Sequence, residues 1–152
     1  MTVYLDTSSL VKLFLEESGS DQVRALVADA TAIATSVVAY AETRAALARR
    51  RRERILTPRA FTTAKRSFEG QWPKFVSIEV TADVARQAGD LAERYALRGF
   101  DSVHLASFVA IASQAAHGDV AFSSFDNALN RAADTWLRQA RRASVSRRRL
   151  RS

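Results

Sequence analysis

Two kinds of apolar pattern alternate along the chain. Short runs rich in Val, Ile, Phe and Tyr stand between longer stretches whose apolar residues recur every three to four positions, which predicts strands alternating with amphipathic helices. Val3-Tyr4-Leu5 reads as a buried first strand. Thr7, Ser8 or Ser9 then caps a helix to about residue 17, with Leu10, Val11, Leu13, Phe14 and Leu15 on its apolar face. Ser18-Gly19-Ser20-Asp21 turns into a second helix ending near residue 29, and residues 31–35 form a second strand. Ser36 is placed to cap a long helix over 37–53, whose arginine-rich end suits the negative pole of the helix dipole. Thr57-Pro58 joins an N-cap to a first-turn proline and opens a helix that stops near Gly70. A third strand is predicted at 75–80, then a helix over 82–97 capped by Thr81 and closed by Gly99. Another helix begins at Asp101 or Ser102 and runs to about residue 116, closed by Gly118. A fourth strand at 120–123 and a last helix from near Phe125 to about Arg142 complete the series.

This alternation predicts an α/β fold, an open and mainly parallel sheet with helices on both faces. The 152 residues suffice for one domain with a real core, taken as 1–140 with a basic tail over 141–152. No apolar run is long enough to span a membrane, and no basic-then-apolar leader stands at the N-terminus. Cysteine is absent, which excludes disulfides, thiolate zinc sites and cysteine nucleophiles and agrees with a cytoplasmic setting.

Charge changes the picture. The formal net charge is +7, and of the 23 basic residues only Lys12, Lys65 and Lys74 are lysine. Arginine matches phosphate with a two-pronged fork, so the balance favours nucleic acid or an acidic partner. The run Arg49–Arg52 with Arg54, and a tail with six arginines and no acid from Arg141 onward, are either solvated segments or contact surfaces for RNA or an acidic protein. The helices around 37–70 carry these arginines beside Leu47, Ile55, Leu56, Phe61 and Phe68, more apolar residues than one core face buries, which predicts an exposed groove there.

Against this basic background four acids stand where apolar segments meet turns or helices: Asp6, Glu42, Asp101 and Asp126. Each has a plainer reading. Asp6 and Asp101 suit helix caps, Glu42 a solvated helix face, and Asp126 an ordinary turn. In open α/β sheets, however, reactive groups gather beyond the carboxyl ends of the strands. Carboxylates brought together there repel by roughly 3 kcal/mol per pair at about 5 Å and an effective dielectric near 20. Mg²⁺ or Mn²⁺ reverses that sign, and such hard cations take oxygen ligands. Two helices between the third and fourth strands leave open whether Asp101 reaches the same sheet edge as Asp6. His104, three residues after Asp101 on the same helix face, is either a base or ligand or a packed, hydrogen-bonded core residue, and His117 is expected to be exposed.

The segment Tyr4-Leu5-Asp6-Thr7-Ser8-Ser9-Leu10-Val11-Lys12-Leu13, the stretch 36–43 around Glu42, the segment Leu97-Arg98-Gly99-Phe100-Asp101-Ser102-Val103-His104-Leu105-Ala106, and the run 120–126 followed by Leu129 and Ala132-Ala133 together resemble the PIN-domain family, specifically its VapC-type toxins. The likeness covers about residues 2–133. It implies a PIN-like parallel sheet of four to five strands and a Mg²⁺-dependent endoribonuclease, with Mn²⁺ as a substitute, that cuts RNA by metal-activated water. Asp6 and Asp101 would be the main metal ligands, and Glu42 and Asp126 would complete the catalytic pocket. Ser8 would be the hydroxyl residue near the first Asp, and Ser123 would replace a frequent Thr before the last acid. Asp119 competes with Asp126 for that role. The resemblance further implies a cognate VapB-like antitoxin, which the predicted groove would seat, and a homodimer. The family's closing strand has no counterpart in residues 134–152, which read as helix and tail.

Other classes fit less well. A catalytically silent PIN-like module binding RNA or a partner shares every feature except chemistry. A phospho-receiver domain wants a late lysine at a strand end, but the last lysine is Lys74. A haloacid-dehalogenase phosphatase wants a second Asp two positions after Asp6, where Ser8 stands. No Gly-x-Ser-x-Gly elbow supports a serine hydrolase.

Overall fold

Parallel strands buried on both faces need apolar side chains in both directions, and the first strand has them. In the computed structural model, which describes residues 1–115 and 119–149, β1 (Thr2–Leu5) sends Val3 and Leu5 into one apolar cluster and Tyr4 into another, each fully buried. Three further strands, β2 (Ala32–Ser36), β3 (Val76–Ile78) and β4 (Val120–Ser123), complete a sheet of order β3-β2-β1-β4, parallel at every pairing. Registers Thr2↔Ala32 and Thr2↔Val120 align the central strands. Their carboxyl ends therefore share one edge, where the Asp6 amide donates to the Ser123 carbonyl at 3.1 Å.

Helices cover both faces, as expected. One face takes α1 (Thr7–Leu10) with a following 3₁₀ turn, α2 (Ser20–Ala28), α3 (Val38–Arg52) and α4 (Pro58–Gln71). The other takes α5 (Ala82–Tyr95), α6 (Gly99–Ala112) and α7 (Asn127–Arg149), packed around Tyr4, Phe108 and Phe122. The sheet order makes the chain cross its full width between β3 and β4, and α5 with α6 fills that crossing. The extra pass of α5 settles the parity question. α6 starts with Arg98 and Asp101 at the carboxyl edge and leads back toward the opposite edge, where the Asp119 carbonyl accepts from the Thr2 amide at 2.8 Å.

Several local expectations need correction. The first helix is one turn, and its cap is Asp6 itself, whose side chain accepts from the Ser9 amide; Thr7, Ser8 and Ser9 lie inside it. Ser36 remains in β2, and the helical residue Val37 precedes α3 with no side-chain cap. Asp101 is a first-turn residue of α6, which starts at Gly99 with Arg98 in the cap position. Gly99 thus opens α6, and Ala96, at φ 52°, ends α5 in the left-handed region. Thr57 and Thr81 cap α4 and α5 as their sequence contexts predict. Among the described residues there are four strands and no fifth; α7 takes up the C-terminal segment and carries residues 141–149 of the basic stretch as helix. His117 and Gly118 lie outside the described residues. No described helix is long and apolar enough to cross a membrane.

Of the apolar residues expected to crowd the α3–α4 region, Leu47 and Phe68 are fully buried, Leu56 and Phe61 half-buried, and Ile55 exposed. Phe68 is wrapped by Phe14, Tyr40 and Trp72 at centroid distances of 5.3, 5.6 and 5.5 Å. Truncating a fully buried phenylalanine costs about 3–5 kcal/mol, whereas an exposed apolar residue away from special features changes stability by about 0.5 kcal/mol or less. Phe68→Ala is expected to lower the urea midpoint strongly and Ile55→Ala to leave it nearly unchanged; paired denaturation curves check both.

Candidate active site

The four acids arrive from four elements. Asp6 follows β1, Glu42 stands in the second turn of α3, Asp101 in the first turn of α6, and Asp126 just before α7. All four line one cavity of about 510 Å³ at the carboxyl edge of the sheet. Asp119, at the opposite end of β4, does not line it.

Within that cavity the carboxylates fall into three hydrogen-bonded groups. Asp6 is only 4% exposed. Its Oδ1 accepts from the Ser9 amide at 2.9 Å and the Ser8 hydroxyl at 2.7 Å, and its Oδ2 accepts from Ser124 at 2.6 Å. Burial pushes its carboxyl above the ordinary value, and the donors from Ser124, Ser9 and Ser8 offset part of that. Ser8 thus stands beside the first Asp, as its position implied. On β4 the assignment moves by one residue, since Ser124 reaches Asp6 while Ser123 pairs with Ser9 at 2.9 Å. Alternation explains the difference. The pleat turns Ser123 toward α1, and the chain leaves the strand at Ser124, which frees its hydroxyl to swing over the edge.

The second group is built on Glu42. Its Oε2 accepts from Thr7 Oγ1 at 2.5 Å and from His104 Nε2 at 2.8 Å. His104 is 3% exposed, and its Nδ1 meets the Tyr4 hydroxyl at 3.0 Å. The packed, hydrogen-bonded reading of His104 therefore holds, and its bonds also fix a carboxylate. Burial raises the Glu42 carboxyl, but the bonds from His104 and Thr7 outweigh it and leave the group below its usual range. Both bonds fall on Oε2, so among the described residues Oε1 is left for a ligand. Thr7 and Tyr4 escaped the sequence reading. Tyr4 looks like any core strand residue, and only the fold reveals that its hydroxyl reaches across to α6.

Asp101 and Asp126 share Arg98. Its Nε donates to Asp101 Oδ2 at 3.0 Å and its Nη2 lies 3.5 Å from Asp126 Oδ2. Asp126 Oδ1 accepts from the Leu129 amide at 2.8 Å, so this acid also caps the start of α7. A fifth acid, Glu17, lines the cavity but is already neutralised. Lys12 binds its Oε1 at 2.9 Å and Arg50 its Oε2 at 2.7 Å; against burial, these bonds hold the carboxyl below the ordinary value.

The donor set is all oxygen and suits a hard divalent cation in kind. As arranged, no three acidic or histidine side chains among the described residues form a ready ion-binding group. The positive charge between Asp101 and Asp126 is a guanidinium, that of Arg98, whose side chain is 83% exposed.

Comparison with known proteins gives the family. Residues 3–135 match the family model described as PIN domain. Ribonuclease VapC45 of Mycobacterium tuberculosis strain CDC 1551 / Oshkosh and Ribonuclease VapC49 of strain ATCC 25618 / H37Rv are each 44% identical over 109 residues, 72% of this chain and 76% of theirs. The crystal structure of Mycobacterium tuberculosis VapC20, a Sarcin-Ricin loop cleaving toxin, matches with a TM-score of 0.62 at 21% identity, covering 86% of this chain and 94% of that one. That last likeness bears on the fold and agrees with the parallel sheet found here. By the family match across most of its length and by its likeness to these relatives, the chain belongs to the PIN-domain family, in its VapC-type branch.

Proposed function

We propose that this protein is a VapC-like toxin, an endoribonuclease that depends on Mg²⁺, or Mn²⁺ in its place, and is neutralised in the cytoplasm by a cognate VapB-like antitoxin. The observation that carries the reading is the gathering of Asp6, Glu42, Asp101 and Asp126 in one cavity that is also lined by Lys12, Arg49, Arg50 and Arg98. Carboxylates inside and cations around them suit a phosphodiester, whose charge needs neutralising from outside while its phosphorus is attacked from within. The relatives that share 44% identity are named ribonucleases.

Asp6 and Asp101 would hold the ion, with Glu42 and Asp126 completing its surroundings. The ion, when bound, makes a water in its shell easier to deprotonate and neutralises charge gathering on the phosphoryl oxygens. The remaining tasks fall to the chain. Ser8, Ser124 and the Ser9 amide fix the Asp6 carboxylate in one orientation. Thr7 and His104 keep Glu42 ionised and turn Oε1 away from them. Arg49 and Arg50 approach the substrate phosphates from α3. One observation favours the alternative, a silent RNA- or partner-binding module: the acids are held apart by serine, histidine and arginine partners. Metal-dependent cleavage separates the two readings.

The antitoxin would sit in a cavity of about 620 Å³ between the first helical turns and α4, beside the α3–α4 region expected from the sequence, lined by Leu13, Phe14, Leu56 and Ala64 with Arg59 and with an Arg24 that Glu16 binds. An apolar segment with an acidic side chain facing Arg59 would suit it, on a protein that pairs as a homodimer.

Asp101→Asn is expected to abolish metal-dependent RNA cleavage, a loss of at least about a hundredfold given the several kcal/mol such charge stabilisation supplies. The half-buried side chain caps nothing, so the fold should stay intact; cleavage that survives in the purified variant and responds to EDTA removes Asp101 from the site.

Metal binding is read by melting curves. At about 100 times its dissociation constant Mg²⁺ should stabilise the parent by roughly 2.7 kcal/mol. Asp6→Asn should lose that gain. In EDTA the parent should lose stability as pH rises through the range of the Asp6 carboxyl. The sign follows from the raised carboxyl: its ionisation penalises the native state, and the penalty is absent below the unfolded value and complete above the folded one. Equal metal shifts in both proteins remove Asp6 as a ligand.

Replacing Arg49 and Arg50 by Ser should weaken RNA binding and flatten its salt dependence by about 0.7 units of slope per lost phosphate contact with single strands. Binding measured at several salt concentrations checks this; unchanged slopes leave Arg49 as a solvated helix-end charge and Arg50 as the structural partner of Glu17.

A further inference from the structure

Phe125 sits between Ser124, which holds Asp6, and Asp126, and it lines the acidic cavity with 40% of its surface exposed. A phenylalanine left open at a polar cavity would ordinarily turn inward or move freely. This one is held on three sides. Its amide donates to Ser8 Oγ at 2.8 Å, the same hydroxyl that binds Asp6. The Lys12 ammonium lies 4.4 Å from its ring centroid, and Lys12 is itself fixed by Glu17 at 2.9 Å and the Ser18 carbonyl at 2.8 Å. On the third side is Gly19, at φ +88°. A Cβ there would stand 2.5 Å from Phe125 Cε1 and 2.6 Å from Cζ, so the ring occupies space that only glycine leaves.

An aromatic ring clamped at the mouth of a cation-lined cavity is a stacking platform. Every base has a π-face, so such a platform takes any unpaired base. Lys12 covers one side of the ring, so a base would meet the part of Phe125 that stays exposed, and Lys12 and Arg50, joined through Glu17, line the same cavity. Resting on the nuclease reading above, we infer that Phe125 stacks the base of a nucleotide next to the bond to be cut, with Lys12 and Arg50 holding its phosphates. The substrate it accepts is then a single-stranded or looped RNA segment. A base inside a duplex cannot reach the ring without leaving its stack.

The test uses the full chain carrying Asp101→Asn, so that binding is read without cleavage. Its probes are a short fluorescein-labelled single-stranded RNA and versions with one abasic nucleotide moved along it. Phe125→Ala should weaken binding of the intact RNA about 5- to 150-fold. Phe125→Leu, which keeps apolar cover over Gly19 and Lys12 but offers no ring face, should do the same, and Phe125→Trp should bind at least as well as the parent. At one position the abasic RNA should bind the parent as weakly as intact RNA binds Phe125→Leu, with no further loss when both changes are combined. Should Phe125→Ala fail to fold, Phe125→Leu decides. Parent-like binding by Phe125→Leu, or equal abasic losses in parent and variant at every position, overturns the inference. The chain without any substitution separates this from the wider reading: if it cuts RNA with Mg²⁺ while Phe125→Leu both binds and cuts like it, only the stacking role falls, and if it cuts none, the nuclease reading falls and takes this inference with it.

Discussion

Burial of the Asp6 carboxyl at the tip of the central strand is the constraint around which the rest of the edge is organised. A carboxylate with so little contact with water needs donors, and the fold supplies three from two directions: Ser8 and the Ser9 amide from the turn that follows β1, and Ser124 from the turn that follows β4. Those donors tie β4 to β1 beyond the last ladder pair, Leu5↔Ser123. Asp6 also caps the single helical turn that follows β1. Even with these donors the carboxyl stays harder to ionise than a free one.

The other three carboxylates are treated differently, and the difference has a physical logic. Glu42 and Asp126 each use one oxygen to fix local structure, through Thr7 and His104 or through the first turn of α7, and keep the other toward the cavity. Asp101 is paired with a mobile-length, exposed arginine rather than a buried one. Glu17, by contrast, is spent on Lys12 and Arg50 and serves to anchor those cations. The acids of one cavity thus differ in what holds them, and Glu17 is held by two cations.

Much of this was legible in the sequence, for reasons that can be named. The strand over 120–123 keeps its predicted limits, while the one expected over 75–80 is cut to Val76–Ile78, and Thr57-Pro58 and Thr81 cap helices because a β-region hydroxyl residue before a helix has few other uses. The four acids were visible because carboxylates are out of place in apolar segments of an arginine-rich chain. What stayed hidden depends on contacts between distant segments. Nothing near Tyr4 announces that its hydroxyl meets His104, a hundred positions away, or that Ser124 rather than Ser123 reaches Asp6. Asp101 shows the limit most clearly. Its cap-like setting after Gly99-Phe100 suggested the wrong helix start, and its edge of the sheet depended on how α5 and α6 fold back, which periodicity does not encode.

The order of segments around the cavity has a consequence for the protein's birth on the ribosome. β1 and the turn with Asp6, Thr7 and Ser8 precede the wall that closes over them, Ser124 to Asp126, by more than a hundred residues, and that wall can seat only when β4 slots in beside β1. Until then the central strand has an open edge and Asp6 lacks its shortest hydrogen bond. A chain made only as far as β3 therefore carries the first acid without the finished pocket, and the cavity is completed when β4 docks beside β1.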